Sequence, residues 1–267
     1  MRYVIDHDYH IHSKISLCSN DEEQTNERIL QYAKENNLKK ICLTDHFWDE
    51  TIPVKMNFYE LQNYAHIKKA LPLPTDESVE FLFGCETEMN RNFKVGISNA
   101  LLDKLEFVII PTTHFHMVGF TIKEENAVSP ESRAKIWIER LEALLNMDLP
   151  FHKIGIAHLV CPLLAPNRED YLKVLELLPS EKLMELFKKA ADLGVGIELN
   201  SFDMKFKDEE ADTVLRPFKI AKQCGCKFYL GSDAHHPSEF KNTKAVFERA
   251  IDLLDLTEED KFHIKGE

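Results

Sequence analysis
The chain has 267 residues, 44% hydrophobic and 29% charged, a balance that allows a sizeable buried core and excludes a disordered or fibrous protein. Lys and Arg number 33 against 45 Asp and Glu; the resulting net charge of −12 disfavours general binding to duplex nucleic acid or to an anionic membrane. No apolar run approaches the ~18 residues of a membrane helix, the start Met1–Asp8 turns polar too early for a signal peptide, and six cysteines without a CxxC pair predict reduced thiols and a cytoplasmic location.

Short apolar runs alternate with longer amphipathic stretches. The runs are Tyr3–Ile5, Lys40–Leu43, Glu80–Phe83, Phe107–Ile110, Lys153–Ala157, Val195–Leu199 and Lys227–Leu230, brief and in part β-branched or aromatic, as buried strands are. Helices are predicted at Glu22–Asn37, Glu131–Asn146, Glu181–Leu193 (capped by Ser180 and stopped at Gly194), Asp208–Gln223 and Ser238–Leu254. Seven strands alternating with helices predict a parallel sheet, and a length near 267 residues without an internal boundary favours a closed, TIM-like α/β barrel in one domain spanning 1–267.

The residues just past each run carry the chemistry. In order they are His10 and His12, Asp45-His46, Glu86, His114 and His116, His158, Glu198 and Asn200, then Asp233-Ala234-His235-His236. Parallel strands of a barrel end on one face, so all seven deliver metal- or substrate-binding types to one place. Imidazoles mixed with a few carboxylates suit zinc, manganese or iron, whereas magnesium and calcium favour oxygen donors. At least eight candidate ligands imply two or three ions around an open cavity, an arrangement that activates water and clamps a displacement at phosphorus. With a metal-activated water no protein nucleophile is needed, and GxSxG and P-loop patterns are absent.

The segments Asp8–Ser13, Leu43–His46, Gly84–Glu86, Thr113-His114, Ala157-His158 and Gly231–His235 resemble, in order and spacing, the PHP (polymerase and histidinol phosphatase) superfamily. The resemblance implies a distorted seven-stranded (β/α)7 barrel, up to three ions, and hydrolysis of phosphomonoesters. It further implies that His10, His12, Glu86 and Asp233 hold one ion, that Glu86 bridges to a second held by His114 and His158, and that His46 and His235 hold a third. The last ligand of the third ion falls on Cys18, with Asp21 as the alternative. His116 and His236 stand beside ligand positions, and His7, His66, His152 and His263 fit no motif.

The expected function is hydrolysis of a small phosphomonoester, resembling histidinol phosphatases. The other readings are a nuclease or nucleotide phosphatase of the same superfamily, an amidohydrolase-like C–N or lactone hydrolase, and a metal-dependent accessory module. Asp233 and His235 are the candidate acids for the leaving group. Arg168 is the first candidate for the phosphate, followed by Arg133 and Arg216. Glu198 and Asn200 either touch the site or form a loop hydrogen-bond network. The stretch Phe115–Pro130 is long enough for a lid, with Phe115, Met117 and Phe120 on its inner side, and Phe47-Trp48 forms a second wall.

Overall fold
The computed structural model describes residues 1–19, 21–53 and 56–264. Its strands are β1 (His7–Ile11), β2 (Lys40–Leu43), β3 (His46–Phe47), β4 (Glu80–Phe83), β5 (Cys85–Thr87), β6 (Val108–Pro111), β7 (Ile154–Ala157), β8 (Gly196–Asn200) and β9 (Lys227–Gly231). They form two sheets, ordered β1-β2-β4 and β3-β5-β6-β7-β8-β9, with every neighbouring pair parallel. Between them run α1 (Asn26–Glu35), α2 (Asn57–Glu60), α3 (Tyr64–Ile67), α4 (Asn99–Leu102), α5 (Pro130–Leu145), α6 (Arg168–Leu177), α7 (Ser180–Leu193), α8 (Ala211–Gln223) and α9 (Thr243–Leu254). The chain is therefore an α/β protein with helices packed on parallel sheet.

Nine strands stand where seven were expected, because two of the runs, now β2 and β4, are each followed after a short break by a second strand. Thr44 and Asp45 separate β2 from β3, and Gly84 separates β4 from β5. Backbone bonds cross both breaks: Gly84 N donates to Leu43 O at 2.8 Å and Glu86 N to Asp45 O at 3.1 Å. Glycine is required at the second break by crowding, since a Cβ there would sit 2.3 Å from Phe107 O and 2.8 Å from Cys42 Sγ. The other edges also approach. Asp233 N donates to His10 O at 2.7 Å and His12 N to Ala234 O at 3.1 Å, joining β1 to the segment after β9.

The first strand is His7–Ile11 rather than Tyr3–Ile5. Hydropathy misplaces it because all five of its residues are buried although three are polar or charged (His7, Asp8 and His10). Each finds a partner: Asp8 Oδ1 accepts from Ser232 N and Oδ2 from the Tyr32 hydroxyl, His7 Nε2 accepts from Leu230 N, and His10 Nδ1 meets Glu198 Oε1. Tyr3–Ile5 instead lies against the C-terminal region, with Tyr3 N donating to Leu256 O. The helix ends also shift. Thr25 caps α1, Ser129 forms a capping box on α5, and Ser180 is the first residue of α7 rather than its cap. The stretches 208–210 and 237–242 are 3-10 turns preceding α8 and α9, and α6 was not anticipated.

Two apolar layers flank the sheet. The larger packs helices on strands around residues such as Ile41, Val108, Ile156, Leu186 and Phe218. On the opposite face Tyr9, Cys42, Phe107, Ile109, Ala157 and Tyr229 form a smaller cluster closed by Phe262. Burial on both faces is what parallel strands require. No helix among the described residues is long and apolar enough to cross a membrane.

Candidate metal centre
The carboxyl ends of the strands gather the histidines. His10 and His12 are two apart on the same side of the first strand, and their Nε2 atoms lie 3.0 Å apart. Glu86 faces them from β5, with Oε2 3.6 Å from His10 Nε2 and 3.3 Å from His12 Nε2. His46 Nδ1 lies 2.8 Å from the same oxygen, and His158 Nε2 is 3.9 Å from Oε1. Asp233 completes the ring: Oδ1 is 3.3 Å from both His10 and His12, and Oδ2 is 3.3 Å from His158. His114 lies beside His158, with ring centroids 4.5 Å apart, and His235 stacks on His12 at 4.1 Å.

The hydrogen-bond network places a proton on Nδ1 in five of these rings. His10 Nδ1 donates to Glu198 Oε1 at 2.6 Å, His114 Nδ1 to Glu88 Oε1 at 2.5 Å, and His158 Nδ1 to Asp203 Oδ1 at 3.2 Å. His235 Nδ1 donates to its neighbour Asp233 O at 2.9 Å. His12 Nδ1 faces Ser16 Oγ at 3.1 Å, and that hydroxyl donates to Asp45 Oδ1 at 2.8 Å, so it accepts from the imidazole. In five rings, therefore, Nδ1 carries the proton and a neutral ring keeps its lone pair on Nε2. Second partners that orient imidazoles in this way are the usual support of metal ligands.

This donor set fits divalent metal ions. Two bare Nε2 atoms 3.0 Å apart repel unless positive charge lies between them. Both oxygens of Glu86 are buried and lack an aligned hydrogen-bond partner. Burial opposes charge on His10, yet Glu198, Asp233 and Glu86 together raise its pKa well above the usual value. Burial alone would also raise Glu86 and Asp233; their imidazole neighbours, His46 and His10 foremost, hold both well below the carboxylate range. The cluster thus calls for cations, and mixed imidazole and carboxylate donors are those of zinc, manganese and iron. Five groups have ligand atoms mutually within 4.8 Å: His10, His12 and Glu86; His12, His46 and His235; His114, His158 and Cys161; His10, His158 and Glu198; and Glu86, Glu88 and His114.

Two of the gathered residues hold strained backbone. His158 and Asp233 are non-glycine residues in the left-handed region, at φ 55° and 56°. Such conformations cost about 1–2 kcal/mol each and persist where their surroundings over-determine them. Here the surroundings do so: His158 N donates to Glu198 Oε2 at 2.9 Å and Asp233 N to His10 O.

The cavity above the centre has a volume of about 680 Å³. Phe58, Tyr59, Met117, Leu163 and Phe202 give it apolar walls, and among its described lining residues Lys205 is the one lysine or arginine. Phe115 is fully buried, Phe120 packs on Trp48 and Tyr59 at ring distances of 5.4 and 5.3 Å, and Met117 reaches the cavity. The lid expected at Phe115–Pro130 is pinned by Arg140, fully buried, which donates to Thr112 O at 2.9 Å, Thr121 O at 2.6 Å and Met89 O at 2.9 Å. Trp48 belongs to the wall cluster with Tyr59, whereas Phe47 lies in the main core.

Not every expected residue meets the centre. Cys18 lines the same cavity as His46 but stands outside the three-imidazole group of His12, His46 and His235, and Asp21 pairs at 2.5 Å with His236 Nε2. Burial, followed by Glu86 and Asp233, pushes the Cys18 thiol well above its usual pKa. His116 is exposed at the rim, and partial desolvation of its ring with the adjacent His114 pushes its pKa down to about 4. Arg168, expected at the phosphate, opens α6 in an adjoining groove; Nε and Nη2 bind Glu210 at 2.8 and 2.5 Å, and the guanidinium lies 4.4 Å over Tyr171. Arg133 and Arg216 are likewise spent on backbone carbonyls. Because Arg168 is committed to Glu210, Arg168→Ala is expected to leave KM for a phosphomonoester within about twofold of wild type and to lower stability by no more than about 1 kcal/mol. Steady-state kinetics with a thermal melt check both; a KM rise of about tenfold would return Arg168 to the site.

Glu88, Asp203, Cys161 and Lys205 are members of the site that the sequence pattern does not single out. Glu88 had a signal, standing two residues beyond Glu86 and so on the same side of the extended chain. Glu198 touches the site, through His10 and the His158 backbone, while Asn200, the last residue of β8, has its Oδ1 accepting from Phe202 N and Asp203 N of the loop that follows.

A family model described as PHP domain matches residues 8–202. No curated protein matches the chain. Among solved structures, histidinol phosphate phosphatase from Lactococcus lactis subsp. lactis Il1403, complexed with zinc, L-histidinol and phosphate, superposes at a TM-score of 0.62 with 17% identity over 92% of this chain and 93% of that one. A candidate histidinol phosphatase from Listeria monocytogenes superposes at 0.58 with 12% identity over 90% and 99%. At these identities the likeness is one of fold.

Proposed function
The chain belongs to the PHP domain family, and from that premise we propose that it is a metal-dependent phosphoesterase acting on a small phosphomonoester. The observation that carries this reading is the convergence of five imidazole lone pairs on two buried carboxylates at the floor of an open cavity. In the proposal His10, His12, Glu86 and Asp233 hold a first ion, Glu86 with His114 and His158 a second, and His46 with His235 a third, for which Cys18 in the same cavity lining is a further candidate ligand. Bound ions of this kind supply an activated water and neutralise charge developing at phosphorus.

The chain's own residues do the rest. Glu198, Glu88 and Asp203 lock three of the rings with Nε2 facing inward. Phe58, Tyr59, Met117 and Phe202 exclude water around an organic leaving group, and Lys205 offers the one cationic side chain of the described lining to a substrate anion. His235, at the open edge and pushed to a pKa of about 3 by burial and by His12, presents a neutral ring. Asp233, held ionised by His10 and His158, can accept a proton from the attacking water and pass it to the leaving group. The histidinol phosphatase that shares this fold binds L-histidinol and phosphate, which supports a small phosphate ester here. We further read the two sheets as one distorted (β/α)7 barrel closed between β1 and β9, the chain as a single domain over 1–267, and its location as the cytoplasm.

The test is metal content followed by turnover. Protein purified without chelator should carry two or three zinc, manganese or iron ions per chain by plasma mass spectrometry. It should hydrolyse phosphomonoesters and leave phosphodiesters and lactones intact. Less than one ion after reconstitution, or turnover confined to diesters or C–N bonds, would displace this reading in favour of another.

A further inference from the structure
Cys161 stands three residues beyond His158, fully buried, with its Sγ grouped within 4.8 Å of ligand nitrogens of His114 and His158. Since Glu88 occupies His114 Nδ1 and Asp203 occupies His158 Nδ1, the nitrogens left to face the sulfur are the two bare Nε2 atoms. The other thiols lack this setting. Cys42 and Cys85 lie in apolar clusters, Cys224 and Cys226 point to backbone carbonyls of Met184 and Phe187, and Cys18 lines the cavity without joining any group of ligand atoms within 4.8 Å.

We infer that Cys161 is a metal ligand, adding a thiolate to His114 and His158 so that this position takes a soft ion, zinc before manganese. The inference rests on the metal-centre reading above. Binding proceeds with loss of the thiol proton to solvent, and the thiolate then provides one donor pair to the ion. A sulfur donor beside two imidazoles selects zinc over manganese or magnesium, whose preference is for oxygen. The three ligands come from the loop after β6, which carries His114, and from the turn after β7, so an ion there ties together the segments that follow two neighbouring strands.

The test is X-ray absorption at the zinc edge of the zinc-loaded protein, compared between wild type, Cys161→Ser and Cys18→Ser. A zinc–sulfur shell at about 2.3 Å, distinct from nitrogen and oxygen at about 2.0–2.2 Å, is expected in wild type. It should survive Cys18→Ser and shrink in Cys161→Ser, to nothing where Cys161 is the sole sulfur ligand; a shell undiminished in Cys161→Ser overturns the inference. Zinc bound through nitrogen and oxygen alone in wild type overturns the inference and leaves the metal centre standing. Loss of the shell in Cys18→Ser also overturns it and assigns the thiolate to Cys18. No zinc uptake by wild type overturns both readings. Should Cys161→Ser not fold, wild type and Cys18→Ser still decide, because among the described cysteines only these two line the cavity.

Discussion

Glu86→Gln is expected to strip the protein of bound metal and lower kcat/KM by about a thousandfold, equivalent to about 4 kcal/mol of transition-state stabilisation. Glu86 lies within 4 Å of four imidazoles, those of His10, His12, His46 and His158, and both its oxygens are buried without an aligned donor. Glutamine keeps the shape and removes the charge. Its amide also turns N–H groups toward lone pairs that now face an anionic oxygen, converting attraction for a cation into a neutral hydrogen-bonded plug. The fold should persist, since Gln can donate to a neutral imidazole and leaves no cavity. Plasma mass spectrometry and steady-state kinetics on the same preparation check the pair of effects. A Gln variant with full metal content and full turnover would mean that Glu86 is a buried structural carboxylate.

Gly231→Ala is expected to destabilise the protein by about 3 kcal/mol, or about 10 °C in Tm at this size, and to lower its metal content. Gly231 ends β9 directly beneath the cluster. A Cβ there would lie 2.0 Å from Glu198 Oε1, 3.0 Å from Glu198 Cδ and 2.7 Å from His10 Cβ. Glu198 is buried and holds two groups at once, His10 Nδ1 and the backbone N–H of the strained His158. Moving it leaves both donors without an acceptor, and a buried donor left unpaired costs about 1–3 kcal/mol. Shortening the displaced side chain should recover part of the loss, so Gly231→Ala/Glu198→Asp should melt above Gly231→Ala alone. Thermal denaturation of the three proteins decides; an alanine variant as stable and as metal-rich as wild type would refute the steric argument.

The alternation of strands and helices was legible because hydropathy marks buried parallel strands well. It failed at the first strand, where His7, Asp8 and His10 are buried polar residues that hydropathy scores as surface. The candidate ligands were legible for a different reason: a strand end is where a polar residue interrupts an apolar run, and each interruption carried His, Asp or Glu. The pairing of Arg168 with Glu210, 42 residues away, has no local signal in the sequence. Asp203 was hidden likewise, in an irregular loop without periodicity. The breaks at Thr44-Asp45 and Gly84, which make nine strands from seven runs, depend on neighbouring strands, as the close approach of Phe107 O and Cys42 Sγ to Gly84 shows.

By itself the sequence determined the family resemblance, the α/β alternation, and which residue types stand at the strand ends, because those follow from covalent order and local period. Only the tertiary structure decided which nitrogen of each ring faces inward. Those tautomers are set by Glu198 acting on His10 from 188 residues away, by Asp203 on His158 from 45 and by Glu88 on His114 from 26. The structure also decided that Lys205 rather than Arg168 lines the cavity and that Cys161 joins two imidazoles. The reason is physical: a ligand's identity is local, whereas its protonation, direction and partners are set by whatever charge the fold buries beside it.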